Sequence, residues 1–165
     1  MNFIKKYILA PQMPSVRNLL ATAVGVMAGI GGIAFLAYMT NIPFLIAPFG
    51  ASAVLIYAAK NSPLAQPRNL IGGHLISGFV AITFCKILGE CWVVIPIAVT
   101  AAILCMMITG TVHPPGGATA LLCAMNCQTS YFFLINPLIV GVAILFVTAF
   151  LASRISKDMR WPYRP

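Results

Sequence analysis

Two short strings of proline, glycine, small residues and a hydroxyl stand 67 positions apart and hold the groups best suited to chemistry in this chain. Pro48-Phe49-Gly50-Ala51-Ser52-Ala53 returns as Pro115-Gly116-Gly117-Ala118-Thr119-Ala120, and both copies run on into apolar residues. Proline fixes φ and needs no N–H, so it suits the first turn of a helix. Glycine admits close approach of a ligand or a second backbone, and serine or threonine supplies a hydroxyl. A helix that starts this way inside a membrane presents N–H groups and a partial positive charge to whatever lies before it. Two such starts predict an anion site built from Phe49, Gly50, Ala51 and Ser52 on one side. Pro115, Gly116, Gly117, Ala118 and Thr119 form the other.

His113 stands immediately before Pro114 and Pro115, which force an extended lead-in because the residue before proline avoids helical torsions. It would donate to the anion or carry a proton with it. The alternative is a polar residue that ties the break to a neighbouring helix. His74, in Asn69-Leu70-Ile71-Gly72-Gly73-His74, would stand behind the same cavity, or hydrogen-bond to backbone near the end of its segment. Asn69 and Asn136 occupy equivalent places and are read as helix caps. Arg68 would steer anions toward a mouth or remain a solvated loop charge.

The rest of the inventory excludes several functions. Glu90 and Asp158 are the only carboxylates, and both fall outside the apolar segments. Cation carriers and proton pumps usually place a carboxylate within the membrane, whereas an anion or neutral solute needs none. No nucleophile elbow, HExxH string or carboxylate pair occurs, so no catalytic residue is assigned and the chain is read as no enzyme. Cys85, Cys91, Cys105, Cys123 and Cys127 form no CxxC pair and no metal spacing with the two histidines, so neither metal nor cofactor is implied.

The elements that must position these residues are membrane-grade. Of the 165 residues 61% are hydrophobic and 7% charged, with a mean hydropathy of +0.97, which describes an integral membrane protein in contact with the lipid bilayer. The net charge of +8 gathers at the ends, in Lys5, Lys6 and Arg17 and in Arg154, Lys157, Arg160 and Arg164. The positive-inside rule accounts for that without nucleic acid. No cleavable leader is read in residues 1–15.

Six hydrophobic segments are expected in an all-α membrane fold, over residues 18–39, 44–59, 69–85, 92–108, 115–125 and 131–152. The fifth, 11 residues long, would reach about 16 Å as a helix against a hydrocarbon core of about 30 Å. Segments two and five are therefore read as broken half-helices with extended lead-ins. The 67-residue offset also pairs Asn69 with Asn136 and Phe79-Val80 with Phe146-Val147. The whole chain, 1–165, is one transmembrane domain of two inverted three-element repeats, about 17–85 and 86–153. Interrupted segments at matching positions in such halves point to a midplane binding site. Both termini are expected on the cytoplasmic side, in a bacterial inner membrane or an organelle equivalent. The glycine-rich first segment offers a packing face for self-association into a homo-oligomer.

His113-Pro114-Pro115-Gly116-Gly117-Ala118-Thr119-Ala120 resembles the signature of the HPP family of small integral membrane proteins. The resemblance extends to Pro48-Phe49-Gly50-Ala51-Ser52-Ala53 and to Gln66-Pro67-Arg68-Asn69 followed by Gly73-His74, and covers most of the chain from about Arg17 to Arg154. It implies a multi-span transporter or channel, associated in plastid and cyanobacterial members with nitrite. Some members of that family carry an added soluble regulatory module of paired nucleotide-sensing repeats, which is not expected within these 165 residues. Residues and resemblance together lead to passage of a small inorganic anion, most readily nitrite. The alternatives are a neutral small-solute channel and a non-transporting membrane scaffold.

Overall fold

The computed structural model describes residues 14–155 and 160–162, and these are helical, turn or irregular throughout. Lys5, Lys6, Lys157, Asp158 and Arg164, on which much of the terminal charge asymmetry rests, lie outside the described residues.

Six helical elements appear where the apolar segments were expected. Helix α1 is Val16–Thr40, and α2 is Ala47–Ala53 continued by a π-helical turn, Val54–Ala58. Helices α3, α4 and α5 are Pro67–Leu88, Val94–Thr109 and Pro114–Met125. The last, α6, is Val140–Ala152, entered through the π-helical stretch Leu134–Ile139. Among the described residues three helical stretches are long and apolar enough to cross a membrane, Val16–Thr40, Pro67–Leu88 and Leu134–Ala152. The elements starting at Ala47 and Pro114 are 67 residues apart, and so are those starting at Pro67 and Leu134.

Torsions explain the starts. Ile46 (φ −110°, ψ 143°) and His113 (φ −138°, ψ 107°) are extended, and proline follows within the first two helical positions of α2, α3 and α5. Asn69 and Asn136 are not caps, contrary to the sequence reading. The N-cap of α3 is Gln66, and Asn69 lies in the first turn, its Nδ2 donating to the Val112 carbonyl at 2.7 Å. Asn136 is itself non-helical (φ −133°, ψ 112°), because the residue before Pro137 cannot settle in a helical well.

Packing is pairwise and crossed. Helix α1 lies against α6, α4 against α3, and α2 against α5, which also packs on α3 and α4. Helix α3 buries Leu70, Gly73, His74, Ser77, Gly78, Ala81, Ile82 and Cys85, a stripe of three- and four-residue steps. Two apolar clusters result, one around Phe49, Ile56, Tyr57, Leu138 and Leu145, the other around Ala81, Ile82, Ala98, Ala102 and Cys123.

Glycine sets the approach distance at a few points. A methyl on Gly25 would stand 2.7 Å from Tyr57 Cε1 and 2.9 Å from Ala152 Cβ, and one on Gly29 would stand 2.9 Å from Thr148 Oγ1. These two glycines of α1 are thus consumed inside the chain rather than kept for a partner. Gly31 faces open space. The π-helical turn of α2 leaves the Tyr57 carbonyl to the Thr22 hydroxyl, 3.4 Å away, while Tyr57 Oη pairs with Thr148 Oγ1 at 2.7 Å.

Candidate functional site: a bridged histidine pair

Where α2, α3 and α5 meet, four polar side chains join end to end. Ser52 on α2, His74 on α3, His113 before α5 and Thr119 on α5 are all 0% exposed. Ser52 Oγ lies 2.8 Å from His74 Nε2 and 3.0 Å from His113 Nε2. His74 Nδ1 lies 2.7 Å from Thr119 Oγ1, and His113 Nδ1 lies 2.8 Å from the Leu64 carbonyl. Thr119 Oγ1 also stands 3.2 Å from the Pro115 carbonyl, one turn back.

The tautomers follow from which atoms can only accept. A carbonyl accepts, so His113 carries its proton on Nδ1 and donates to Leu64. A neutral His113 then accepts at Nε2 from the Ser52 hydroxyl. Ser52 oxygen then accepts from His74 Nε2–H and His74 Nδ1 from the Thr119 hydroxyl, an arrangement that takes the Thr119 hydrogen away from the Pro115 carbonyl one turn back. One direction of donation thus runs Thr119, His74, Ser52, His113, Leu64.

Local geometry holds the rings. Phe49 stands edge-on to His74, with centroids 5.8 Å apart, and the two imidazoles are themselves edge-on at 5.1 Å. Gly73 lets α3 pass the break before α5, since a methyl there would overlap His113 Cβ and reach within 3.0 Å of the Thr111 carbonyl. Gly116 does the same from the other side, where a methyl would stand 2.7 Å from the Gly73 carbonyl oxygen. Ser77 is turned away, donating to the Gly73 carbonyl at 2.6 Å.

The remaining residues of the expected site are placed differently. The Gly116 N–H, expected to be free for a ligand, donates to the His113 carbonyl at 2.7 Å, and that of Phe49 donates to Ile46 at 3.0 Å. Pro48, Pro114 and Pro115 have no N–H to offer, so the prolines that start these helices also remove donors from their ends. Gly50 and Ala51 are exposed on the outer face of α2, and a methyl on Gly50 or Gly117 would meet nothing within 4 Å. Ala118 is half-buried. Arg68 is exposed and donates to the Thr109 carbonyl, fastening the start of α3 to the end of α4.

His74, placed by the sequence behind the site, is its centre, and Thr119 reaches it from the second turn of α5. The Ser52 and Thr119 positions are legible in the repeat, but their shared partner is not, because it comes from a third helix. Among the described residues no three metal-ligating side chains converge. One turn beyond Thr119, Cys123 lines a cleft of about 500 Å³ with Ile42, Ile46, Asn126, Phe133 and Asn136. The Asn136 Oδ1 is buried there without a hydrogen-bond partner.

The family model for the transmembrane region of HPP proteins matches residues 11–162. A transmembrane protein of Dictyostelium discoideum is 33% identical over 165 aligned residues, covering 92% of this chain and 57% of the relative. A second from the same organism is 36% identical over 147 residues, covering 81% of this chain and 47% of the relative. The chain thus spans about half the length of the relatives it matches. No solved structure matches it. With the family model covering nearly the whole chain, this membrane protein belongs to the HPP transmembrane family.

Proposed function

We propose that this chain moves a small monovalent anion across a membrane, nitrite by family resemblance, and that the Ser52–His74–His113–Thr119 cluster is where the anion is read. The observation that carries this is the bridge itself. One imidazole on α3 joins equivalent hydroxyls of two short, proline-started helices, at a place with no exposure to solvent. Polar side chains so deep in a membrane protein are costly and concentrate on solute pathways.

Side chains supply the donors in this reading. The imidazole N–H groups and the two hydroxyls face one another across α2 and α5, whereas the first-turn N–H groups of Phe49 and Gly116 are already bonded. The cluster is closed, so passage requires α2 and α5 to part, with the cleft beside Cys123 as a mouth on one side. The crossed packing of α1 on α6 and α3 on α4 supports two inverted three-element repeats about an axis through the α2–α5 crossing, the architecture of alternating-access carriers. Helices α2 and α5 then act as half-helices meeting near midplane, with both termini cytoplasmic. No enzymatic step is assigned.

The test is uptake into proteoliposomes of nitrite, nitrate, chloride and formate, each against protein-free vesicles. Saturable uptake of nitrite, lowered at least tenfold by His74→Gln, supports the reading. A second reading is a structural clasp in a non-transporting scaffold, favoured by the fact that every nitrogen of the two rings already has a partner inside the chain. It expects a folded protein with no flux of any solute.

A further inference from the structure

The cluster holds more contacts than its neutral side chains have hydrogens to fill. Five contacts of 2.7 to 3.2 Å run from the Leu64 carbonyl through His113, Ser52, His74 and Thr119 to the Pro115 carbonyl. At one hydrogen apiece they would take five, and two neutral imidazoles and two hydroxyls carry four. In the neutral assignment the unfilled contact is Thr119 to Pro115, at 3.2 Å the longest of the five.

One added proton completes the set. Protonating His74 at Nδ1 makes that nitrogen a donor to Thr119 Oγ1, and the Thr119 hydroxyl hydrogen turns to the Pro115 carbonyl. Nothing else moves. A second arrangement fills the same five contacts: the His74 Nε2 proton passes to Ser52 oxygen as the Ser52 hydroxyl proton passes to His113 Nε2. The N–H bond of one ring and the O–H bond of Ser52 break while a new O–H and a new N–H form, so the charge moves from one imidazole to the other across one hydroxyl.

Resting on the anion-transport reading, we infer that the cluster takes up one proton together with the anion and carries the pair as an electroneutral unit, with Ser52 passing the proton between His74 and His113. The surroundings give the proton no other counter-charge. From α2 the neighbours are Ser52 and, beyond it, Tyr57, whose hydroxyl is paired with Thr148. Helix α3 adds Ser77, bonded to Gly73, and places Cys85 farther along; α4 presents Met106, which accepts from Ser77 at 3.4 Å. Helix α5 presents Thr119 and Cys123, while α1 and α6 pack on the far side of α2 through apolar residues, Thr22 and Thr148. Lys60 and Arg68 lie in and after the α2–α3 connection, with Arg68 held on Thr109. Glu90 is exposed in the α3–α4 loop, and no carboxylate among the described residues reaches the pair. A lone positive charge buried without a partner is strongly opposed, and an anion arriving with the proton cancels it.

The deciding experiment combines flux with proton counting on the unmodified chain. Nitrite uptake into proteoliposomes is measured from pH 5.5 to 8 with the membrane potential clamped at several values. Nitrite binding to the purified protein is then followed by calorimetry in two buffers of different ionisation enthalpy. The expected results are uptake that is insensitive to potential, falls about tenfold per unit of pH once the proton is limiting, and is matched by one proton taken up per nitrite bound. Ser52→Ala should flatten the pH profile more than it lowers affinity. Electrogenic, pH-independent uptake, or binding with no proton taken up, overturns the coupling and leaves anion transport standing. Neither flux nor binding in a monodisperse, folded protein overturns both.

Discussion

Ser52 and Thr119, 67 positions apart and each five residues into a short helix, sit on opposite nitrogens of the His74 imidazole at 2.8 and 2.7 Å. A single ring from α3 therefore holds α2 and α5 together at equivalent points of the two helices. Because both hydroxyls and both rings are fully buried, each member of the bridge depends on the others for its hydrogen bonds.

His74→Ala strips Ser52 and Thr119 of their common partner and leaves a cavity. The expected cost is about 3 kcal/mol or more, combining unsatisfied buried groups with lost packing. His74→Gln, which keeps a donor and an acceptor, should cost less. Thermal unfolding in detergent, followed by loss of the monodisperse species, reads the difference; equal midpoints for both variants would contradict the bridging role.

Glycine positions should split into two classes. Gly73→Ala and Gly116→Ala push a methyl against a carbonyl oxygen of the facing backbone and should each cost about 1 to 3 kcal/mol. Gly50→Ala and Gly117→Ala meet open space within helices and should be neutral or stabilise by up to about 1 kcal/mol. Thermal midpoints of the four proteins check this. If Gly117→Ala abolishes flux without loss of stability, close approach of the solute to the α5 backbone is restored as part of the mechanism.

Trp161 is a contact that no motif announced. Its indole Nε1 donates to the Ala65 carbonyl at 2.9 Å, its ring stands edge-on to Phe146, and its carbonyl accepts from Ser153 Oγ at 3.1 Å. It fastens the chain after α6 to the α2–α3 connection, next to the Leu64 carbonyl that orients His113. Trp161→Ala should cost about 3 to 5 kcal/mol. Trp161→Phe should cost about 1 kcal/mol for the single hydrogen bond. The ratio of the two losses, from denaturant or thermal titration, separates packing from the bond.

Cysteine labelling tests the arrangement in the membrane. Cys91 is exposed in the α3–α4 loop, whereas Cys85 and Cys123 are buried. In sealed vesicles of defined orientation, a membrane-impermeant maleimide should modify Cys91 from the side opposite the termini and leave Cys85 and Cys123 intact until unfolding. Labelling of Cys91 from the terminal side would reject three crossings between the N-terminus and that loop.

Much of the framework was already written in the chain. Apolar lengths, the prolines in the first turns of α2, α3 and α5, and the 67-residue offset placed six helical elements within a few residues of where they lie, because proline torsions and hydrophobic burial act locally. The same local logic failed at Asn69 and Asn136. Each resembles a cap, yet Asn69 ties α3 to Val112 and Asn136 is caught in a break set by the following proline. The N–H groups of Phe49 and Gly116 are not free for a ligand either, since they close the first turn on the carbonyls of Ile46 and His113.

The amino-acid pattern alone dictates a helical membrane protein with two matched proline-started short helices, a hydroxyl in each and no carboxylate in the apolar segments. That Ser52, His74, His113 and Thr119 form one hydrogen-bonded line follows only from how the helices pack. Their separations of 22, 45 and 61 residues carry no periodic signal. Which groups meet depends on how α5 packs on α3 and α2 on α5, and Gly73 and Gly116 let the backbones of α3 and α5 touch.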